Sequence, residues 1–491
     1  MRTGSSKNRR IEPAKKPWDK VFLKLSFLRL DARSLSLFRI VFGLGLLWHL
    51  IYAKLPCARL FWGYDGIFAH KIITETVARS FSIFDLFSSD VAVVPIFVSA
   101  IAVVFLYTIG WHSRWTGALA YFFLWNIQQR TPPLGFGGDF YTLHILFLSL
   151  FLPLNNHFSI KQTDEGAPEI LPSIAFLIQV LFVYFSSGWA KYGDSWVHGY
   201  AVRNMLLDRS NAYSWTHIVV DHPIVYTIFT YAAWLGELAT PFLLLLPIRQ
   251  PLLRAIPASF IVLFHLMTGA MYDVGVFWTT GFAAGVALMP AQVYRNWMAT
   301  SFQATNKISN KWRGAFSLLF IYLIIINNLE FILRTEEKRE GSAGSLIHDF
   351  VSFMSPAPFD NSFLFFQNWR MFAPDPSTNI SWFAIEQEVA PGQWRDVLHD
   401  LPVDTAAQQP LHYYRGFEGT FLTFMRFWKV RPERSIYLKQ WIVCRLLAQG
   451  DKELLYRKGT KLVEYECIIK GNESKYQTPV TRYTYSLKAT E

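Results

Sequence analysis

Seven residues of this chain sit where an apolar sequence has least use for them: Arg39, His49, Asp139, His144, Lys191, Glu237 and His265. Each lies within or at the end of a long hydrophobic run. Hydrocarbon penalises ionisable groups, so such residues mark internal pairing, ligand contact or proton chemistry. Lys191 has the most suggestive surroundings, Ser187-Gly188-Trp189-Ala190-Lys191-Tyr192-Gly193-Asp194-Ser195-Trp196. An ammonium in a dry pocket is disfavoured in its charged form, so a lysine there can serve as a base near neutral pH. The other reading is a lysine that snorkels to the interface among Trp and Tyr.

The remaining members carry similar pairs of readings. Arg39 suits a lipid phosphate or a carboxylate, or simple structural pairing. Glu237, deep in an apolar run, reads as a proton carrier or as the buried partner of Lys191 or Arg39. His265 reads as a hydrogen-bonded core histidine or as a chemical group. Asp139 opens a hydrophobic run after a Gly-rich turn, where a carboxylate caps free backbone N–H groups. Arg39, His144, Trp196, Glu237 and His265 are therefore candidates to line a cavity around Lys191 and Asp139.

The elements that must position these groups are membrane spans. Hydrophobic residues make up 52% of the 491 and charged residues only 17%, which excludes an ordinary soluble enzyme. Nine spans are expected, near 35–53, 91–109, 115–127, 140–154, 171–189, 224–246, 253–271, 274–289 and 316–333. The third is the weakest, and the fourth is short enough to need its flanks or to be partly re-entrant. Residues 1–33 form a basic tail, with 21–30 a candidate surface helix. Residues 334–345 read as a charged linker, and 346–491 as a mixed α/β extramembrane domain. In that domain 380–389 pairs with 394–397 as a hairpin, 434–447 is an amphipathic helix and 461–469 a strand. Lys and Arg are richer in the tail and the even-numbered gaps, which places the N-terminus in the cytoplasm and the C-terminal domain outside it.

Several function classes have no support. The net charge of +11 suits anionic lipid, but no basic-aromatic motif reads nucleic acid. Cys57, Cys444 and Cys467 lack metal-ligand spacing; Cys444 and Cys467 are equally readable as a disulfide or as free thiols. Nucleophile-elbow, Walker, dinucleotide and zinc-protease motifs are missing.

The run 31–40, Gly137-Gly138-Asp139, and Tyr184-Phe185-x-x-Gly188-x-x-Lys191 with Trp196 and Gly199-Tyr200 resemble the HTTM membrane domain of vitamin K-dependent gamma-carboxylases and their bacterial relatives. Gln367-Asn368-Trp369-Arg370-Met371-Phe372-Ala373-Pro374 is similar to the entry of the extramembrane domain in bacterial members. The resemblance implies a polytopic α-helical fold and a lipophilic ligand, reduced vitamin K or another quinone. It maps Lys191 to the carboxylase base. It also maps Asp139 to the slot of a histidine that assists carboxylation, where an aspartate would repel a developing carbanion. The resemblance thus leaves two functions: a quinone-binding enzyme of lyase type acting on a peptide or small protein, or a membrane scaffold for peptide maturation or export.

Overall fold

The computed structural model describes residues 25–76, 81–163, 165–208, 211–247, 251–294, 311–340, 346–354, 367–377, 379–396, 401–403, 437–438, 440–441, 444, 461–468 and 480–486. The basic tail up to residue 24 and most of the expected helix 434–447 lie outside this set.

A bundle of helices dominates. α1 covers Ala32–Trp48, continues as a π-helical turn over His49–Lys54, and is capped by Asp31, whose carboxylate accepts from Arg33 N at 2.9 Å. There follow α2 (Val93–Thr108), α3 (Ser113–Arg130), α4 (Gly137–Ser149), α5 (Ile170–Trp189), α6 (Pro223–Leu245), α7 (Ala255–Met271), α8 (Val276–Ala287) and α9 (Lys311–Glu340). Each stands where a span is expected. Among the described residues, five helical stretches, Leu25–Trp62, Asp90–Thr108, Ile170–Trp189, Pro223–Leu245 and Lys311–Glu337, are long and apolar enough to cross a membrane, while Ala255–Met271 and Val276–Ala287 are apolar but shorter.

Close approach builds the bundle. α1 packs on α8 and α2, α5 on α9 and α6, and α7 on α8. A Cβ on Gly43 would stand 2.1 Å from the Thr108 hydroxyl of α2, and one on Gly45 2.7 Å from Thr279 Cβ of α8. Small residues let backbones meet where lipid offers no hydrophobic driving force.

α9 runs on through Arg334 to Glu340, so the start of the expected linker is helical. Charged residues are good helix formers, and the change from apolar to charged marks a change of solvent, not of backbone. α10 (Leu346–Met354) then folds back along α9, with Tyr322 OH donating to Met354 O at 2.8 Å.

The C-terminal sheet has order β3-β2-β1-β4-β5 and is antiparallel throughout. β1 is Asn379–Ala390, β2 Gln393–Asp396, β3 Leu401–Pro402, β4 Lys461–Ile468 and β5 Val480–Ser486. Trp382 pairs with Tyr465 and their rings stack at 5.7 Å. Buried Glu386 is held by Lys461 at 3.0 Å and by the Tyr465 hydroxyl. The C-terminal part touches the helical domain where Tyr437 meets Phe68, with ring centroids 4.7 Å apart.

Candidate functional site

Lys191 follows the last turn of α5 and is 2% exposed. Its Nζ lies 2.5 Å from Glu237 Oε2 and 2.5 Å from Ser187 Oγ, and 5.1 Å above the Trp196 ring. Glu237 comes from mid-α6 and is 3% exposed. Gly188 permits the meeting: a Cβ there would be 3.0 Å from Leu238 and 3.2 Å from Glu237 Cβ, so a larger residue would push α6 away. Of the two readings of Lys191, snorkelling to the surface is not what the fold provides. The ammonium is turned inward to a carboxylate.

Beside this ion pair lies a cavity of about 560 Å³. Phe136, Phe229, Phe260, Phe264 and Phe277 form much of its wall, and Lys191, Glu237, Trp196, Asn211 and Asp273 supply its polar groups. Two wall residues of α7, Leu263 and Met267, are 57% and 42% exposed, so the cavity reaches the outer surface of the bundle beside α6. Gly137 and Gly138, at the start of α4, complete the floor.

Asp139 is not part of that wall. The cap position of α4 is Phe136, with no side-chain cap bond, which removes the capping role. Asp139 instead faces inward and binds Lys54 Nζ at 3.0 Å, with His49 Nε2 at 3.8 Å. Lys54 is 3% exposed and also stands 5.8 Å over the Trp62 ring. The π-helical turn that carries His49 and Lys54 widens α1 and brings both to one place. Buried Asp139 Oδ2 and both His49 ring nitrogens make no hydrogen bond. This second buried ion pair is distinct from the Lys191 pair.

The other candidates disperse. Arg39 is fully buried and binds Leu154 O at 3.2 Å, Asn155 Oδ1 at 3.3 Å, and the Ser159 hydroxyl and Phe158 carbonyl, so it ties down the chain after α4. His265 meets Tyr184 OH at 2.7 Å and packs against Phe277. His144 lies 3.5 Å from Gln367 Nε2 and edge-on to Trp369. Of the expected lining residues, the structure gathers Lys191, Trp196 and Glu237 around one cavity. Among the described residues no cluster of His, Cys, Asp and Glu could hold a metal ion, and Cys444 is a free thiol.

Four contributors escape a sequence reading. Ser187 looks like one more small residue near a helix end. Phe136 looks like turn filler. Met371 and Phe372, which also line the cavity, sit in a motif that reads as a domain entry. Only the Glu237 spacing hinted at a partner for Lys191, since a carboxylate deep in an apolar run needs a cation.

Fold and site together define a membrane protein in which a buried ion pair borders an apolar cavity. Residues 27–297 match the HTTM domain, and the chain belongs to that family. Neither the curated proteins nor the solved structures give a match.

Proposed function

We propose that this protein binds a neutral lipophilic molecule, quinone-like in shape, with its polar end at the Lys191–Glu237 pair. The observation that carries the reading is the apolar 560 Å³ cavity with one neutralised ion pair in its wall. That volume falls within the usual range for small-molecule sites, roughly 300–1,000 Å³. Aromatic walls suit a flat ring, and Lys191 Nζ offers a donor to a carbonyl or hydroxyl oxygen. The pair has no net charge and Asp273 adds an acid, so an anionic head group gains nothing here. The exposed edge at Leu263 and Met267 suits entry from the bilayer.

The ion pair weighs against Lys191 as a base. A carboxylate at 2.5 Å favours the charged ammonium, which has no lone pair to accept a proton. Binding is therefore the better-supported role, and the carboxylase resemblance enters only through the shape of the site. The proposal includes nine spans, a cytoplasmic N-terminus and a non-cytoplasmic C-terminal domain, following the distribution of Lys and Arg. An alkaline phosphatase fusion after Tyr485 would then be active.

Lipid extraction and mass spectrometry of the purified protein should recover a neutral lipophile. Menadione, a short-chain naphthoquinone, should bind saturably. Gly137 lines the cavity and a Cβ there meets nothing within 4 Å, so Gly137→Leu adds bulk at the wall without a first clash. It should abolish menadione binding with little change in thermal midpoint. Failure of the wild-type protein both to retain a lipophile and to bind menadione overturns the reading.

A further inference from the structure

Residues 367–375 belong to the bundle, although they precede the C-terminal sheet. Gln367 exchanges two hydrogen bonds of 2.9 Å with Gln179, in mid-α5. Trp369 is 1% exposed, donates to Gln367 Oε1 at 2.8 Å, and stands edge-on to Tyr141 and His144 of α4. Gln179 is ten residues before the end of α5, so Gln367 sits about 15 Å inside the helix end. From there the chain runs outward. Met371 and Phe372 line the cavity. Trp196 Nε1 donates to Phe372 O at 2.9 Å, and Gly193 N to Pro374 O at 3.1 Å. Asp375 Oδ1 accepts from Ser195 N at 2.9 Å and also from the Ser195 hydroxyl.

We infer that residues 367–375 are an inserted strap that completes the lipophile cavity, and that Asp375 is a positioning residue that latches residues 193–196 and so holds Trp196 over Lys191. Residues 190–193 have no regular structure, and the helix that follows them, Asp194–Val197, is one turn long. So short a helix has little stability of its own. Its first turn is fixed from outside, by an acceptor side chain and a backbone carbonyl of the strap. The fit is close: a Cβ on Gly193 would lie 2.1 Å from Asp375 Oδ2. Trp196 is then held from both sides, by the strap carbonyl on its indole N–H and by the Lys191 ammonium against its ring. The HTTM match ends at residue 297, yet a wall of the cavity comes from 371–372. The ligand site is therefore shared between the helical domain and the chain beyond it, which couples the placement of the C-terminal sheet to the shape of the cavity.

This inference rests on the cavity reading for its functional meaning, but its test does not need a ligand. Hydrogen exchange of the full-length protein in nanodiscs would be followed by mass spectrometry at the amides of 193–197, with menadione binding measured separately. Asp375→Ala should speed exchange there about tenfold or more, the loss expected for bonds to a charged acceptor, while peptides of α1 and α2 stay unchanged. It should also increase acylation of Lys191 by an amine reagent. Asp375→Asn keeps an oxygen acceptor and should restore both readouts to near the wild-type level. If the alanine variant is not recovered, Trp196→Phe keeps an aromatic ring but removes the bond to Phe372 O together with part of the indole; it should speed exchange at the same amides. Unchanged exchange in the tested variant, or an asparagine variant as fast as alanine, overturns the latch. A wild-type protein that ignores menadione overturns the cavity reading alone, since exchange still decides the latch.

Discussion

Lys191 and Glu237 should respond to pH in opposite directions when either is left alone. The two are 2% and 3% exposed and 2.5 Å apart, so each group's charge is compensated by the other and not by water. In Lys191→Met the glutamate loses its cation. The cheapest relief is proton uptake, which for an ordinary glutamate costs about 3.7 kcal/mol at pH 7 and about 1 kcal/mol at pH 5. In Glu237→Gln the lysine loses its anion. Releasing its proton costs about 4.6 kcal/mol at pH 7 and about 2 kcal/mol at pH 9. The signs follow from proton counts. A carboxyl held protonated only in the folded state binds one more proton there, so stability falls as pH rises; an amine held neutral only in the folded state binds one fewer, so stability rises. Both figures agree with the about 3–5 kcal/mol expected for breaking a buried pair. Thermal unfolding of the detergent-solubilised protein at pH 5, 7 and 9 reads this out, with a drop at pH 7 of roughly 4–5 °C for each single variant. The double variant Lys191→Met/Glu237→Gln removes both charges and should recover most of the loss with little pH dependence. Two single variants with parallel pH profiles, or a double variant as unstable as the sum of the singles, would refute the argument.

The second buried pair invites the same logic. Lys54→Met or Asp139→Leu alone should destabilise by about 3–5 kcal/mol, and the two together by much less, in a thermal double-mutant cycle. Gly281→Ala would put a Cβ 2.0 Å from His265 Nε2, the atom that meets Tyr184, so it should cost about 1–3 kcal/mol by thermal unfolding. Burial pushes the Cys444 thiol up to about 11. Its alkylation by iodoacetamide should therefore be slow at pH 8 and rise about tenfold per pH unit up to pH 10, as the thiolate fraction does; fast labelling at pH 7 would contradict that environment.

Much of the architecture is written locally. Apolar runs about as long as a bilayer is thick place the helices, because backbone polar groups in hydrocarbon must be satisfied within the segment. Alternation over 380–389 announces β1, its hairpin partner 394–397 announces β2, and the strand-like run 461–469 announces β4. The same runs expose Lys191 and Glu237 as residues needing company, since a charge among apolar neighbours is costly wherever the chain folds. Local sequence carries no information on which charge meets which. Glu237 was open to Lys191 or Arg39, and the helix packing sends Arg39 instead to carbonyls and side-chain oxygens of the chain after α4. Asp139 has the local setting of a helix cap, but a π-helical turn some eighty residues earlier carries Lys54 to it. Residues 367–374 resemble the entry to an extramembrane domain, and only the space between α4 and α5 makes them a wall. Hydropathy and charge act on each residue in its own segment, so they are legible in order along the chain. Pairing and cavity shape depend on distances between segments far apart in sequence, and those distances exist only once the helices have packed.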